Sequence, residues 1–277
     1  MMARHALRDI LADFARTQRV LLGINADNPE MLLGIAQALH AEPVPMFIQL
    51  TPETLSIWGY DVLTTLMSTV LDPLPSPISW HLDHATALED VQQALAWGFT
   101  SVMYDGSALP FAENVRQTQQ VVQWAHARGV LVEAEIGHVS KPGEPPEWAH
   151  LTSPEEAVAF VEATDVDALA VAIGNHHATH VAGSHIDVAR LAAIHAVCPV
   201  PLVLHGASGV SQDMYDTLRT HGIAKMNFGT ELRRIWWQTV HQLPDKKPRD
   251  VQREIQRLIG DGVREKIHQL SLAQHRA

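Results

Sequence analysis

Residues 78–106 read ISWHLDHATALEDVQQALAWGFTSVMYDG. Two short apolar runs, Ile78–Asp83 and Ser101–Asp105, flank Ala87–Trp97, whose apolar residues recur at helical spacing. Neither run alternates apolar with polar, as a half-exposed strand would; a strand buried on both faces reads as a continuous apolar run. The unit is therefore strand, helix, strand. The same alternation extends in both directions, with further runs at Val20–Asn25, Val44–Leu50, Val130–Glu135, Ala168–Gly174, Pro201–His205 and Ala224–Asn227. Helical patterns lie between them. Pro29–Ala41 carries Met31, Leu32, Ile35 and Leu39 on one face, and Glu113–Arg128 closes on Gly129, a residue suited to a helix C-cap. Thr152-Ser153-Pro154-Glu155-Glu156 supplies a capping hydroxyl, a first-turn proline and acids beside the helix dipole.

Eight strand–helix repeats predict an α/β fold, a single (β/α)8 barrel domain over about residues 18–232. A doubly wound sheet would show a Gly-rich first turn, and Gly23-Ile24-Asn25 is no dinucleotide fingerprint. The remainder, about 233–277, reads as a polar helical extension carrying the adjacent Trp236 and Trp237, which can pack on the barrel or on a second subunit.

Composition narrows the function. The 277 residues carry a net charge of −11, which argues against nucleic acid or an anionic membrane surface as partner. An anionic small substrate would need a local positive device, such as a metal or a helix N-terminus. No window is apolar enough to span a membrane and no signal peptide is expected. The single cysteine, Cys198, excludes an internal disulfide and sits in an apolar stretch, so the expected compartment is the reducing cytoplasm.

In a (β/α)8 barrel the C-terminal strand ends converge on one site. Here those ends are Asn25, Thr51, Asp83-His84, Asp105-Gly106-Ser107, Glu135, Asn175-His176-His177, His205-Gly206 and Asn227. A single histidine in such a loop is ordinarily a surface or hydrogen-bonded residue. Histidines at three separate ends, with carboxylates beside them, have the composition of a zinc-type site with an open position. Independently, His205-Gly206-Ala207-Ser208-Gly209 and Asn227-Phe228-Gly229-Thr230 follow the last two strands, where barrels often hold a phosphate. A metal beside a phosphate site points to chemistry on a phosphorylated carbonyl compound. A Schiff-base route is disfavoured, because Lys225 lies within the last strand while Asn227 reaches its mouth.

These residues resemble the class II, metal-dependent ketose-bisphosphate aldolases, the fructose- and tagatose-bisphosphate family. The matching stretches are Trp80–Val115, VEAEIGHV (Val132–Val139), DALAVAIGNHH (Asp167–His177), PLVLHGASGV (Pro201–Val210) and GIAKMNFGTEL (Gly222–Leu232). The resemblance implies a lyase that reversibly cleaves a ketose 1-phosphate or bisphosphate to dihydroxyacetone phosphate and an aldehyde. It implies zinc, or another divalent transition metal, on His84, His177 and His205, with Glu135 as a further metal-binding carboxylate; a monovalent cation is also compatible. It gives Asp83 the proton of the hydroxyl at the reacting bond. It puts Asp105 and Ser107 in the metal cavity, Asn25 and Thr51 at the rim, and Gly206, Ala207, Ser208, Asn227, Gly229 and Thr230 around the phosphate. It also implies a homodimer or homotetramer.

The chain departs from the family pattern in places. Ala178 replaces the usual glycine after His177, putting a Cβ where a phosphate would approach the backbone. Thr179-His180-Val181 replaces an aromatic–lysine pair, and His138 stands where many relatives have arginine. In the loop Ser140–Trp148, Glu144 is the nearest candidate for the base that moves the C3 proton, one residue out of register and flanked by prolines. These changes point to a divergent branch and a ketose phosphate other than fructose 1,6-bisphosphate. Two other readings stand beside the aldolase: an epimerase or isomerase using the same enediolate, and a non-catalytic sugar-phosphate-binding relative.

Overall fold

The computed structural model describes residues 7–139, 150–176 and 186–274. Its centre is a closed barrel of eight parallel strands in sequential order: β1 (Leu21–Asn25), β2 (Met46–Leu50), β3 (Ile78–Ala85), β4 (Ser101–Tyr104), β5 (Leu131–Ile136), β6 (Ala168–Val171), β7 (Leu202–Leu204) and β8 (Ile223–Phe228). Every predicted run becomes a strand. The ends differ by up to three residues, since Ala172, Ile173 and Gly174 already belong to the loop after β6.

The helices among the described residues are α1 (Arg8–Arg16), α2 (Pro29–Ala41), α3 (Pro52–Trp58), α4 (Tyr60–Leu71), α5 (Leu88–Ala96), α6 (Phe111–His126), α7 (Pro154–Thr164), α8 (Val188–Val197), α9 (Tyr215–Thr220), α10 (Thr230–Gln242) and α11 (Pro248–Gln274). Local chemistry sets several of their ends. The Asn28 side chain accepts from Met31 N at the start of α2. Ser153 and Glu156 form a reciprocal capping box at the start of α7. Gly129, at φ +70°, turns the chain between α6 and β5 in the left-handed region that favours glycine.

Two apolar clusters build the core. The larger lies between the outer faces of the strands and the surrounding helices. The smaller closes the N-terminal end of the barrel, where Leu7, Leu11 and Phe14, at the start of the chain, meet Leu21, Phe47, Met103, Leu131 and Val203. Arg8 pins this plug by donating to Val130 O at 3.2 Å and to Asp167 Oδ2 at 3.0 Å. Among the described residues the floor of the barrel is therefore shut, and the polar cavity opens at the C-terminal rim.

The C-terminal extension packs on the barrel's outer layer. α11 presents Ile255, Ile259, Val263, Ile267 and Leu270 as a buried stripe. It runs against α2 so closely that a Cβ on Gly34 would come within 2.7 Å of Gln256 O, and one on Gly260 within 3.1 Å of Gly34 O. α2 is buried on more than one face, at Met31, Leu32, Ile35, Ala36, Ala38 and Leu39, because barrel and α11 sandwich it. Of the tryptophan pair, Trp236 packs against the core while Trp237 stays exposed.

Candidate active site

Along each strand alternate side chains enter the barrel, so polar residues two apart form layers beneath the rim. The upper layer contains Asn25, Asp83, Asp105, Glu135, His205 and Asn227, all buried. The layer beneath contains Gln49, His81, Glu133 and Lys225, all completely buried.

Asp83 and His84 are consecutive, yet both face the site. A regular pleat would point them to opposite faces. The β3–β4 register shifts between Leu82 and Ala85, and His84 takes φ +54°, a left-handed conformation rare outside glycine. The bulge turns His84 back over the barrel mouth. There its Nδ1 lies 2.9 Å from Asp105 Oδ2, and its ring meets that of His205 with centroids 4.5 Å apart. Ser107 reaches this centre through Asp105, donating its hydroxyl to Oδ1 at 2.6 Å.

Both Asp83 oxygens are occupied by amides. Asn25 Nδ2 donates to Oδ2 at 2.7 Å and Gln49 Nε2 to Oδ1 at 3.0 Å. Burial pushes this carboxyl up, but His84, His205, His81 and Lys225 outweigh burial and bring it down to about 2. Burial lowers His84, yet Asp83, Asp105 and Glu135 raise the imidazole to about 9. His205 is held below its ordinary value by burial and by His84.

Ligand atoms of Asp83, His84 and His205 lie within 4.8 Å of one another, and so do those of His84, Asp105 and Glu135. Imidazole nitrogens with carboxylate oxygens at this spacing suit a divalent transition metal, so the residues present fit such an ion. His177, Ala178 and Glu144 fall outside the described residues.

The rim above this cluster encloses a cavity of about 90 Å³ lined by Asn25, Thr51, Asp83, His84, His205, Gly206, Ser208, Asn227, Gly229, Thr230 and Arg233. Thr51 also caps α3, accepting from Thr54 N. Gly206 stands at φ +68° and starts a short turn that buries Ala207 in the core. Ser208 Oγ is buried and has no hydrogen-bond partner among the described residues. Gly229 precedes the first turn of α10, and a Cβ there would come within 2.8 Å of Asn25 Oδ1. A second, larger cavity is lined by Leu109, Phe111 and Ile136 together with Ser107, His138 and Glu156. The titratable cluster faces the smaller, polar space.

Sequence reasoning did not single out Gln49, His81, Glu133 or Arg233, and it placed Lys225 off the mouth. Lys225 is completely buried and ion-paired to Glu133 at 2.7 Å, which removes it as a substrate-facing amine. The first three carry one signal: each sits two residues before a strand-end residue already marked, Thr51, Asp83 and Glu135. Arg233 lies one turn into α10, held by Asp27.

A closed parallel barrel with a polar, histidine- and carboxylate-rich C-terminal rim beside two small-residue loops defines a (β/α)8 enzyme of small-molecule chemistry. The class II fructose-bisphosphate aldolase family model matches residues 5–275, and the chain belongs to that family. It is an aldolase, a carbon–carbon lyase. It is 39% identical over 222 residues to fructose-bisphosphate aldolase of Giardia intestinalis, covering 78% of this chain and 69% of that one. It is 33% identical over 246 residues to YdjI of Escherichia coli, covering 88% of each. The crystal structure of the Escherichia coli YdjI aldolase matches with a TM-score of 0.86 at 30% identity, covering 98% of both chains.

Proposed function

We propose that this aldolase reversibly cleaves a ketose 1-phosphate or ketose bisphosphate to dihydroxyacetone phosphate and an aldehyde. The proposal includes a divalent metal, zinc by donor chemistry, on His84, His177 and His205, with Glu135 close enough to join it. A cation there supplies Lewis acidity to the carbonyl that takes up the electron pair of the breaking bond.

The observation that carries the reading is Asp83: ionised, clamped by Asn25 and Gln49, and opening on the same cavity as His84, His205 and the two small-residue loops. In cleavage its carboxylate accepts the C4 hydroxyl proton as the C3–C4 bond opens; in condensation it returns that proton. Glu144 is the proposed carrier of the C3 proton. The substrate phosphate takes Ser208 Oγ, the Thr230 hydroxyl and backbone N–H groups beside Gly206, Ala207, Ala178 and Gly229, at the positive end of α10. Asn227 and Thr51 flank the chain of the sugar, and Arg233 adds a guanidinium at the cavity mouth. No helix is long and apolar enough to cross a membrane among the described residues; a cytoplasmic homo-oligomer is the proposed working form.

The test is dihydroxyacetone phosphate release from a panel of ketose phosphates, before and after chelation and zinc restoration. Release that stops with chelator and returns with zinc is expected. Asp83→Ala is expected to keep its zinc and lose roughly 100-fold or more in kcat, the scale of a lost acid–base group. Near-full turnover in that variant would end the role given to Asp83. Products of unbroken carbon chain length would instead favour the epimerase reading.

A further inference from the structure

The ion pair beneath the rim has no part in the chemistry above. Lys225 and Glu133 are 0% exposed, on β8 and β5, facing each other across the barrel. Taking an ammonium and a carboxylate out of water costs several kcal/mol per ion, and a well-packed apolar pair often serves stability as well. Hydrogen-bond direction supplies a reason for keeping the charges. Lysine only donates, so Glu133 Oε2, 2.7 Å from Lys225 Nζ, accepts. The other oxygen, Oε1, lies 2.8 Å from His205 Nε2. An ionised carboxylate accepts on both oxygens, so Nε2 of His205 must carry the hydrogen. The same logic runs the other way from the lysine: His81 Nε2, 3.4 Å from Lys225 Nζ, accepts, and His81 Nδ1 then donates to Ser101 Oγ at 2.7 Å. The Asn227 amide nitrogen lies 3.3 Å from His205 Nδ1 and 3.2 Å from Nε2, so it does not select between the tautomers, and Glu133 does.

We propose that Lys225 and Glu133 are positioning residues that hold His205 in its Nε2–H tautomer, so that Nδ1 presents the lone pair to a divalent cation. The lysine, buried where no substrate reaches, sets the polarity of a ligand on a third strand through one carboxylate. Partners of this kind typically change metal affinity 10- to 100-fold. The inference rests on the reading of His205 as a ligand.

Nitrogen-15 spectra of the histidine rings in the metal-free wild type test it directly. The Nε2–H pattern for His205 is expected, with Nδ1 shifting on zinc addition. An Nδ1–H pattern overturns the proposal. An Nε2–H pattern with no zinc-dependent shift at His205 supports the tautomer assignment and overturns the ligand reading instead. In Glu133→Gln the amide carbonyl must face Lys225, which turns the NH2 toward His205. The expected result is the Nδ1–H tautomer and zinc binding weakened roughly 10- to 100-fold, read by competition with a chromophoric chelator. Removing the lysine as well, in Glu133→Gln/Lys225→Met, lets the carbonyl turn back to His205 and is expected to recover most of that affinity. A purely structural pair would lower the thermal midpoint in both variants while leaving tautomer and zinc affinity unchanged, which overturns the proposal. The wild-type spectrum keeps the test open even if Glu133→Gln fails to fold.

Discussion

His84 concentrates the site's demands in one residue: a left-handed backbone, a bulged strand, and three carboxylates around one imidazole. Those carboxylates raise it from 6.5 to about 9, so the metal-free protein carries a charged imidazole there at neutral pH. A raised folded-state value contributes stability that is present in full below 6.5 and lost as pH rises through about 9. Metal-free protein is therefore expected to unfold more easily at pH 9.5 than at pH 6, in a denaturant titration at matched ionic strength. Zinc requires the neutral ring, so apparent zinc affinity is expected to rise roughly tenfold per pH unit across this window, as His84 releases one proton per ion. Calorimetry in buffers of different ionisation enthalpy counts that proton. The sequence showed Asp83, His84 and His205 because strand ends are readable once the strands are. Their shared strand end put Asp83 and His84 in one site, but not how: alternation alone points them to opposite faces, and the bulge reverses it.

At the level of the strand, the second polar layer was hidden for a different reason. Gln49, His81 and Glu133 interrupt otherwise apolar runs, and a lone polar residue in a run looks like noise. Period-two counting back from Thr51, Asp83 and Glu135 finds them, since residues two apart enter the same interior. Gly23 shows how tightly β1 and its neighbours meet there. A Cβ on Gly23 would press into the side-chain ends of Gln49 and Asn227. Both are flexible ends that can yield, so the damage falls on alignment more than on packing. Gly23→Ala is expected to cost little in thermal midpoint but about tenfold or more in kcat, because Gln49 would leave Asp83. A large loss of stability with unchanged kcat would contradict that. Glu144, His177 and Ala178 lie outside the predicted strand runs, and nothing in strand alternation specifies them.

For the molecule as a whole, chemistry and closure occupy opposite ends of the barrel. α1 seals the floor with Leu11 and Phe14, far from the rim where Asp83 and His84 gather. Leu11→Ala is expected to cost about 2–5 kcal/mol of stability, as buried leucine truncations do. It should change kcat less than twofold at a temperature where the variant is folded. Equal losses of both would mean that the floor and the rim are mechanically joined. The eight-strand architecture was readable from continuous apolar runs alone, because only doubly covered parallel strands write that pattern. The role of α11 was legible only in part: its polar, regular sequence left packing on the barrel and packing on a second subunit both open, and the buried stripe lies on the barrel side.

The close crossing of α2 and α11 at Gly34 and Gly260 makes that appendage a wall. A chain stopped at Leu232 would keep every strand, yet leave the outer face of α2 bare. Met31, Leu32, Ile35 and Leu39 share one face, but the buried arc runs on past them to Gly34 and Ala38 on the α11 side, and that flank would meet water and seek other chains. The last strand thus ends the barrel's circumference without completing the layer that covers it. Insertions at the tip of the tail should be tolerated, whereas any residue larger than glycine at position 34 should pry the tail away and expose a sticky helix.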